Sequence, residues 1–220
     1  MPGMLTRGAA RAELLRPITL PAHRALHVAV SGGIGTGKST VSRVLKRLGA
    51  VVVDNDELAR EATAPGSSGA ERVREAFGPG VFAGDQLDRR RLAQLVFANA
   101  ACRHTLEDII VPWVLAETKR RLDALPTGAV GVADIPLLVE TGTAGEYDAV
   151  VMVTAPLRLR LKRLEERGLP REEAQARIRA QVSDAQRREV THIWVNNAGS
   201  TPELEELVAD LARTWLGMSV

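Results

Sequence analysis

A glycine-rich segment, Gly32-Gly-Ile-Gly-Thr-Gly-Lys-Ser39, constrains the fold of this chain more than any other feature. The apolar run at residues 26–30 precedes it and has the composition of a buried strand. From residue 40 to 48 the apolar side chains recur at helical spacing, so a helix follows at once. A strand, a glycine-rich turn and a helix N-terminus in this order form a cradle of backbone N–H groups for phosphate. The alternative is a glycine-rich turn that occurs by chance. Such a turn would not need a strand before it and a helix after it.

The side chains that end this segment favour a nucleoside triphosphate as ligand. The ammonium group of Lys38 would reach the β- and γ-phosphates, and the hydroxyl of Ser39 would ligate Mg²⁺ directly. The start of the helix adds about half a positive charge. We therefore expect the following residues to bind the nucleotide: Gly33, Ile34, Gly35, Thr36, Gly37, Lys38, Ser39 and Thr40.

Three aspartates stand where predicted strands end. Asp54 and Asp56 follow the run at 50–53, and a carboxylate there can accept a proton from an attacking hydroxyl group. The alternative for both is capping of the next helix or of a turn. Asp134 follows the run at 129–133, a position typical of the acid that helps to hold Mg²⁺ through a bound water. A capping or sheet-end role is the alternative for Asp134.

The order of periodic segments predicts an α/β fold. Strand-like runs recur at 129–133, 149–153 and 191–195, and helical patterns at 157–166, 171–188 and 203–216. Strands that alternate with helices indicate a mainly parallel sheet. Between residues 57 and 125 helical patterns dominate, which indicates a helical insertion. They span 57–64, 69–77, 88–99 and 101–125, the last with a kink or break expected at Pro112.

Charge and composition exclude several classes of protein. Residues 1–26 carry a net charge of +3 and the remainder −1, which together give the total of +2, so a nucleic-acid surface is not expected. Aromatic residues make up 3% of the chain, too few for base-stacking platforms. Its single cysteine excludes an internal disulfide, and no run approaches the 18 apolar residues of a membrane span. We expect a cytoplasmic protein with a disordered or extraneous tail at 1–26.

Several segments resemble the dephospho-CoA kinases, in consistent order from about residue 28 to 200. The glycine-rich P-loop is shared by a whole superfamily. More specific are Asp-x-Asp-x-x-Ala-Arg at 54–60 and Ile-Pro-Leu-Leu-x-Glu at 135–140. Further matches are Pro65-Gly66, Ala76-Phe77-Gly78, Leu87-Asp88-Arg89, Arg163, Arg167, Gln181, Asn197 and Gly199.

This resemblance implies a function and an architecture. The reaction would transfer the γ-phosphoryl group of ATP to the ribose 3′-hydroxyl of dephospho-coenzyme A, the last step of coenzyme A synthesis. The fold would be a P-loop NTPase-type three-layer sandwich within residues 27–220. Residues 57–125 would be a helical insertion that binds the acceptor, and residues 154–188 a helical lid. ATP with Mg²⁺ would serve as co-substrate and metal, without a tightly bound prosthetic group. We expect no nucleic acid, membrane or obligate protein as partner.

The resemblance also implies roles for individual residues. Asp56 would contact the 3′-hydroxyl as the base, with Asp54 the less favoured candidate. Arg163 would close on ATP beside Lys38, because residues 158–188 hold ten basic and five acidic residues, an excess that suits phosphate. Arg167 and Asn197 would also contact ATP, although a turn role is the alternative for Asn197. The expected acceptor-binding residues are Asp54, Asp56, Arg60, Arg89, Pro136, Leu137, Leu138 and Glu140; for Arg89, starting a helix is the alternative.

One position departs from the family pattern. The family commonly carries His-Pro in the helix facing the acceptor, and this chain has Val111-Pro112. One acceptor-side contact is thereby in doubt, and Glu107 or Asp108 are candidates to replace it.

Two other functions share parts of this pattern. A kinase for a nucleoside or another small metabolite would also have the P-loop, the acid and an arginine-rich lid. A P-loop switch would use ATP or GTP for conformational change, but a GTPase carries an Asn-Lys-x-Asp segment and this sequence has none.

Overall fold

The computed structural model describes residues 3–219, and its regular elements alternate between strands and helices. The strands are β1 Met4–Arg7, β2 Ala10–Leu14, β3 Leu26–Gly32, β4 Val51–Asp54, β5 Phe82–Ala83, β6 Gln86–Leu87, β7 Val130–Asp134, β8 Ala149–Thr154 and β9 Ile193–Asn196. The helices are α1 Lys38–Arg47, α2 Asn55–Ala62, α3 Ser68–Phe77, α4 Arg89–Ala98, α5 Ala100–Asp123, α6 Leu157–Glu165, α7 Arg171–Arg179, α8 Asp184–Glu189 and α9 Thr201–Trp215. The segments Pro79–Val81 and Thr143–Glu146 are short 3-10 helices.

Seven strands form one sheet in the order β1-β2-β9-β8-β3-β7-β4. The central strand β3 pairs in parallel with β7 and with β8, and β8 pairs in parallel with β9. β3 and β8 are buried over their whole length, as expected for parallel strands covered on both faces. The α/β fold with a mainly parallel sheet is confirmed.

Helices cover both faces of this sheet. On one face the core joins Val28, Val30, Ile193 and Val195 to the apolar side chains of α1 and α9. Neighbouring side chains of a strand point to opposite faces, so Trp194 of β9 lies on the other face. There the Arg188 guanidinium of α8 lies 4.9 Å from the centre of the indole ring. The result is three layers, helix, sheet and helix.

The N-terminal segment is ordered, which differs from the expected disordered tail. Strands β1 and β2 form an antiparallel hairpin, and β2 pairs antiparallel with β9. Ala10 and Ala12 are fully buried against the core. Arg7 bonds Asp210 of α9 at 2.6 Å, and Arg188 bonds Glu13 at 3.0 Å. The hairpin thus covers the edge of β9, and two of the four arginines of the tail, Arg7 and Arg24, pair with acids of the fold. Residues 1–2 lie outside the described residues.

The tight turn of this hairpin gives a test of its docking. Gly8 has φ of +54°, and a Cβ there would lie 1.6 Å from Oε1 of Glu203, whose carboxylate accepts from the N-cap Ser200 of α9. Gly128 has φ of +82° but open space around it. We expect Gly128→Ala to lower the melting temperature by roughly 2–4 °C, because the left-handed backbone strains alanine by about 1 kcal/mol.

Gly8→Ala should lower the melting temperature further than Gly128→Ala. It causes the same backbone strain and also displaces Glu203 from the N-cap of α9. Thermal unfolding followed by circular dichroism compares the two variants. Equal shifts would mean that the hairpin turn does not depend on its contact with α9.

Residues Asp54–Arg121 form a compact unit of their own, distinct from the unit made by residues 1–53 and 122–220. Within it, α3, α4, α5 and the small hairpin β5–β6 enclose an apolar cluster that includes Val73, Phe82 and Leu87. The Arg74 guanidinium covers the Phe82 ring at 4.0 Å. The unit overlaps the range 57–125, in which the sequence shows mainly helical patterns. None of the helices formed by residues 3–219 is long and apolar enough to cross a membrane.

Two details of the helices differ from expectation. Of the kink or break expected at Pro112, a break is excluded, because α5 continues through the proline from Ala100 to Asp123. The single helix expected at 171–188 is two, because Ser183 starts α8 with a capping box that includes Gln186. The hairpin β5–β6 has strands of two residues, too short to show a pattern in the sequence.

Candidate active site

The P-loop connects the central strand β3 to the start of α1. Gly37 is the N-cap of α1 with φ of +98°, a conformation that favours glycine. A Cβ on Gly32 would lie 2.4 Å from the Val153 carbonyl oxygen, and one on Gly37 would lie 2.4 Å from Nδ2 of Asn197. The neighbouring strand ends therefore leave room for glycine alone. The loop is further held by the Thr36 hydroxyl, which donates to the Gly33 carbonyl at 2.8 Å.

Lys38 and Asp134 meet at the carboxyl ends of the central strands. The Lys38 ammonium donates to Oδ1 of Asp134, the last residue of β7. Asp134 is 6% exposed, so the charge pair is largely shielded from water and stronger than a surface pair. The structure thus brings together two residues that the sequence analysis assigned to phosphate and to metal. Asp134 retains a second carboxylate oxygen.

Side chains from α6 and from the end of β9 hold the outer side of the P-loop. Arg163 donates to the carbonyl oxygens of Gly35, Thr36 and Asn197, each at 3.3 Å. The Asn197 side chain donates to the Thr36 carbonyl at 2.8 Å. Burial lowers the pKa of Arg163, and the neighbouring Arg167 lowers it further. Both Arg163 and Asn197 therefore contact the loop backbone, a supporting position that the sequence analysis did not foresee.

Arg160 is a site residue that the sequence analysis missed. Its Nε donates to the Ile34 carbonyl at 2.8 Å and its NH2 group to Oε1 of Gln181 at 2.9 Å. The side chain is 8% exposed, and burial and then the nearby Arg187 lower its pKa. The count of basic residues in this region signalled an anion site, but the sequence does not show which arginine turns inward.

Much of the positive charge of residues 158–188 is paired within that segment. Arg171 bonds Glu165 at 2.9 Å, and Arg177 bonds Glu173 at 2.6 Å. Arg167 is exposed just after the end of α6, near enough to Arg163 for the two charges to repel. Arg160 and Arg163 instead turn toward the P-loop, where they contact backbone carbonyl oxygens.

The two carboxylates after β4 have different surroundings. Asp54 is the N-cap of α2, and its Oδ1 accepts from the N–H groups of Asp56 and Glu57 at 2.8 and 3.2 Å. Asp56 lies in the first turn of α2 and is exposed. Within residues 3–219 its carboxylate has no hydrogen bond or ion pair. The capping interpretation thus applies to Asp54, and Asp56 keeps an unengaged carboxylate.

Two arginines of the same unit, Arg60 and Arg89, lie close together. Arg89 donates to the Arg60 carbonyl at 3.2 Å and to the Thr63 hydroxyl at 2.8 Å. Burial lowers the pKa of Arg89, and the charge of Arg60 lowers it further. Two neighbouring guanidinium groups favour an anion such as phosphate.

The remaining expected acceptor residues lie after β7. Leu137 is 46% exposed and Glu140 is exposed, and Pro136 is half-buried. Leu138 is fully buried, so its side chain packs the segment internally. Of the candidates to replace the family histidine, Glu107 has a carboxylate oxygen 3.5 Å from Nδ1 of His104 on the same helix.

The donor set near the P-loop fits a magnesium ion better than a transition metal. Among the residues that the structure describes, no three His, Cys, Asp or Glu side chains cluster as a metal site. Ser39 is exposed in the first turn of α1, and Asp134 offers its second oxygen. Mg²⁺ prefers such oxygen ligands, keeps several waters, and binds with substrate phosphates.

Comparison with known proteins identifies relatives of this chain. The family model for dephospho-CoA kinase matches residues 26–203. The dephospho-CoA kinase of Frankia casuarinae is 45% identical over 189 residues, which cover 86% of this chain and 81% of the relative. That of Thermobifida fusca is 39% identical and covers 84% of this chain and 94% of the relative. The match to that of Mycolicibacterium paratuberculosis is 46% identical but covers 44% of that longer protein.

Solved structures agree with the fold. The structure of TT1252 from Thermus thermophilus has a TM-score of 0.74 and 35% identity, and the match covers 87% of this chain and 98% of that one. Dephospho-CoA kinase from Campylobacter jejuni has a TM-score of 0.60 at 21% identity, with 85% and 95% covered, which supports the fold alone. A family match over most of the chain, together with relatives at 39–46% identity, is decisive: the chain belongs to the dephospho-CoA kinase family.

Proposed function

We propose that this protein transfers the γ-phosphoryl group of ATP to the ribose 3′-hydroxyl of dephospho-coenzyme A. The observation that carries the proposal is the P-loop with its Lys38–Asp134 pair in a chain of this family. Cytoplasmic location belongs to the proposal, since ATP is available there.

In the proposed reaction a bond forms between the 3′-oxygen and the γ-phosphorus, and the bond from that phosphorus to the β,γ-bridging oxygen breaks. Asp56 accepts the proton of the 3′-hydroxyl, and ADP leaves. Lys38 leaves Asp134 for the phosphates and stabilises the charge that develops on the bridging oxygen. Ser39, and Asp134 through water, would hold Mg²⁺, which supplies further charge neutralisation when bound.

Two arginines of α6 that contact the P-loop support this chemistry indirectly. Arg163 and Arg160 fix the loop carbonyls, so the loop N–H groups keep their direction toward the phosphates. We propose that Arg167, and Arg163 on closure of residues 154–188, approach the triphosphate. Transfer to a sugar hydroxyl instead of water requires exclusion of solvent, which such a lid provides.

The acceptor is tested by measuring ADP release with dephospho-coenzyme A, adenosine and shikimate in parallel. We expect turnover with dephospho-coenzyme A that depends on Mg²⁺, and far slower release with the other two. Shikimate belongs in the set because shikimate kinase of Acinetobacter baumannii shares the fold, with a TM-score of 0.50 at 19% identity. Faster turnover with adenosine or shikimate would contradict the proposal.

The Arg60–Arg89 pair leads to a prediction about the acceptor. Dephospho-coenzyme A carries a diphosphate, which two adjacent guanidinium groups can bind. Arg89→Met should raise the KM for dephospho-coenzyme A by about tenfold, as expected for one charge-assisted hydrogen bond, and leave the KM for ATP unchanged. Arg90→Met, at the neighbouring exposed position, is the matched control and should change neither. A larger effect on ATP would assign Arg89 to the nucleotide.

A further inference from the structure

One side chain between α7 and α8 reaches the P-loop. Oε1 of Gln181 accepts from the Ile34 N–H at 3.0 Å and from the Arg160 guanidinium at 2.9 Å. Arg160 in turn donates to the Ile34 carbonyl at 2.8 Å. Both backbone polar groups of Ile34 are therefore held by side chains from residues 154–188.

The fit of these two side chains against the loop is close. A Cβ on Gly33 would lie 2.7 Å from the Arg160 guanidinium and 2.9 Å from Oε1 of Gln181. Arg160 is almost fully buried, and a hydrogen bond shielded from water is stronger than an exposed one. The two acceptors that Arg160 contacts, the carbonyl of Ile34 and the amide oxygen of Gln181, are neutral, and the charges that act on it are those of Arg187 and Asp184.

Gln181 differs in surroundings from Gln186, a second glutamine of residues 154–188. Gln186 closes the capping box of α8, because its Oε1 accepts from the N–H of Ser183 at 3.0 Å and lies 2.8 Å from the Ser183 Oγ. Gln181 follows the end of α7 and contacts no helix cap; its side-chain contacts are with Ile34 and Arg160. Gln186 therefore has a role internal to the helices, and Gln181 a role at the loop.

We propose that Gln181 is a positioning residue for the triphosphate, which holds the first half of the P-loop in its phosphate-binding shape. The proposal rests on the proposed function and deepens it. Fixing Ile34 before ATP arrives reduces the ordering cost of binding. By reciprocity, bound nucleotide should strengthen the attachment of residues 154–188 to the loop.

The test replaces Gln181 and, in a separate variant, Gln186 by methionine, which keeps the length of the side chain but removes the acceptor. Titration calorimetry with β,γ-imido-ATP measures nucleotide binding without any acceptor. We expect Gln181→Met to raise the Kd by about three- to tenfold, the range for one hydrogen bond. Gln186→Met should lower the melting temperature and leave the Kd unchanged.

Tryptic digestion gives a second readout, since residues 158–188 hold ten basic residues. The ATP analogue should protect this segment in the unsubstituted protein and in Gln186→Met, and less so in Gln181→Met. An unchanged Kd in Gln181→Met, or an equal rise in both variants, would overturn the proposal. If Gln181→Met does not fold, Gln181→Asn, whose oxygen falls short of Ile34, tests the same bond. Absence of turnover on dephospho-coenzyme A with normal analogue binding would contradict the proposed function alone.

Discussion

Replacing Lys38 by alanine is expected to reduce kcat on the order of 10²- to 10³-fold, as found when one preorganised charge donor is removed. Lys38 is the side chain of the P-loop that carries a full positive charge, and α1 holds it at the end of β3 beside Asp134. In the ground state the ammonium interacts with the carboxylate. In the transition state it would stabilise the charge that moves onto the leaving oxygen, and no other P-loop group replaces it.

Lys46→Ala is the matched control, because Lys46 lies exposed on the same helix. Its steady-state rates should equal those of the unsubstituted protein. Lys38→Ala also leaves the buried Asp134 without its cation, which costs stability. The double variant Lys38→Met with Asp134→Asn removes both charges, so its melting temperature should exceed that of Lys38→Ala. Full activity in either Lys38 variant would refute the role assigned to the lysine.

Asp56→Asn is expected to reduce kcat on the order of 10²- to 10³-fold, the contribution of a positioned general base. The KM for ATP should stay unchanged, because the base acts on the acceptor hydroxyl. Asp56 is the candidate because its carboxylate is unengaged among the described residues, whereas the carboxylate of Asp54 caps α2. Steady-state kinetics with both substrates varied measures the two effects.

Asp54→Asn is the matched control for Asp56→Asn. Asparagine is as good an N-cap as aspartate, so its kcat should fall by much less. Asp54→Ala should lower the stability by about 1 kcal/mol through loss of the cap. A loss of kcat in Asp54→Asn that matches the loss expected for Asp56→Asn would show that Asp54 is the base.

The sequence predicts the P-loop and the central sheet because their signals are local. The strand, the glycines and the amphipathic α1 lie within residues 26–47, and each has a composition typical of its structure. The position of the Arg163 side chain, by contrast, has no local signal in the sequence. Its acceptors include the carbonyl of Asn197, far along the chain, so the contact depends on how α6 and β9 pack. The count of basic residues predicted an excess of positive charge in residues 158–188, but it did not show toward which group the Arg163 side chain points.

The hairpin and α8 were missed for two separate reasons. The buried face of β2 consists of Ala10 and Ala12, and alanine does not favour strands. These small residues form a strand because the core packs closely against them, and that packing is not visible in the local sequence. For α8 a signal was present, since Ser183 followed by Gln186 forms a capping box. The local pattern could have predicted that helix start.

The position of the N-terminal hairpin in the sheet determines when the hairpin can fold during synthesis of the chain. Glu13 bonds Arg188, 175 residues further along the chain, and β2 pairs with β9. On the ribosome, residues 4–14 therefore emerge long before the strand that accepts them. Contacts of such separation form slowly, since the entropy of closing the loop is lost first. Residues 4–14 are thus translated before the sheet and join it after β9 has formed.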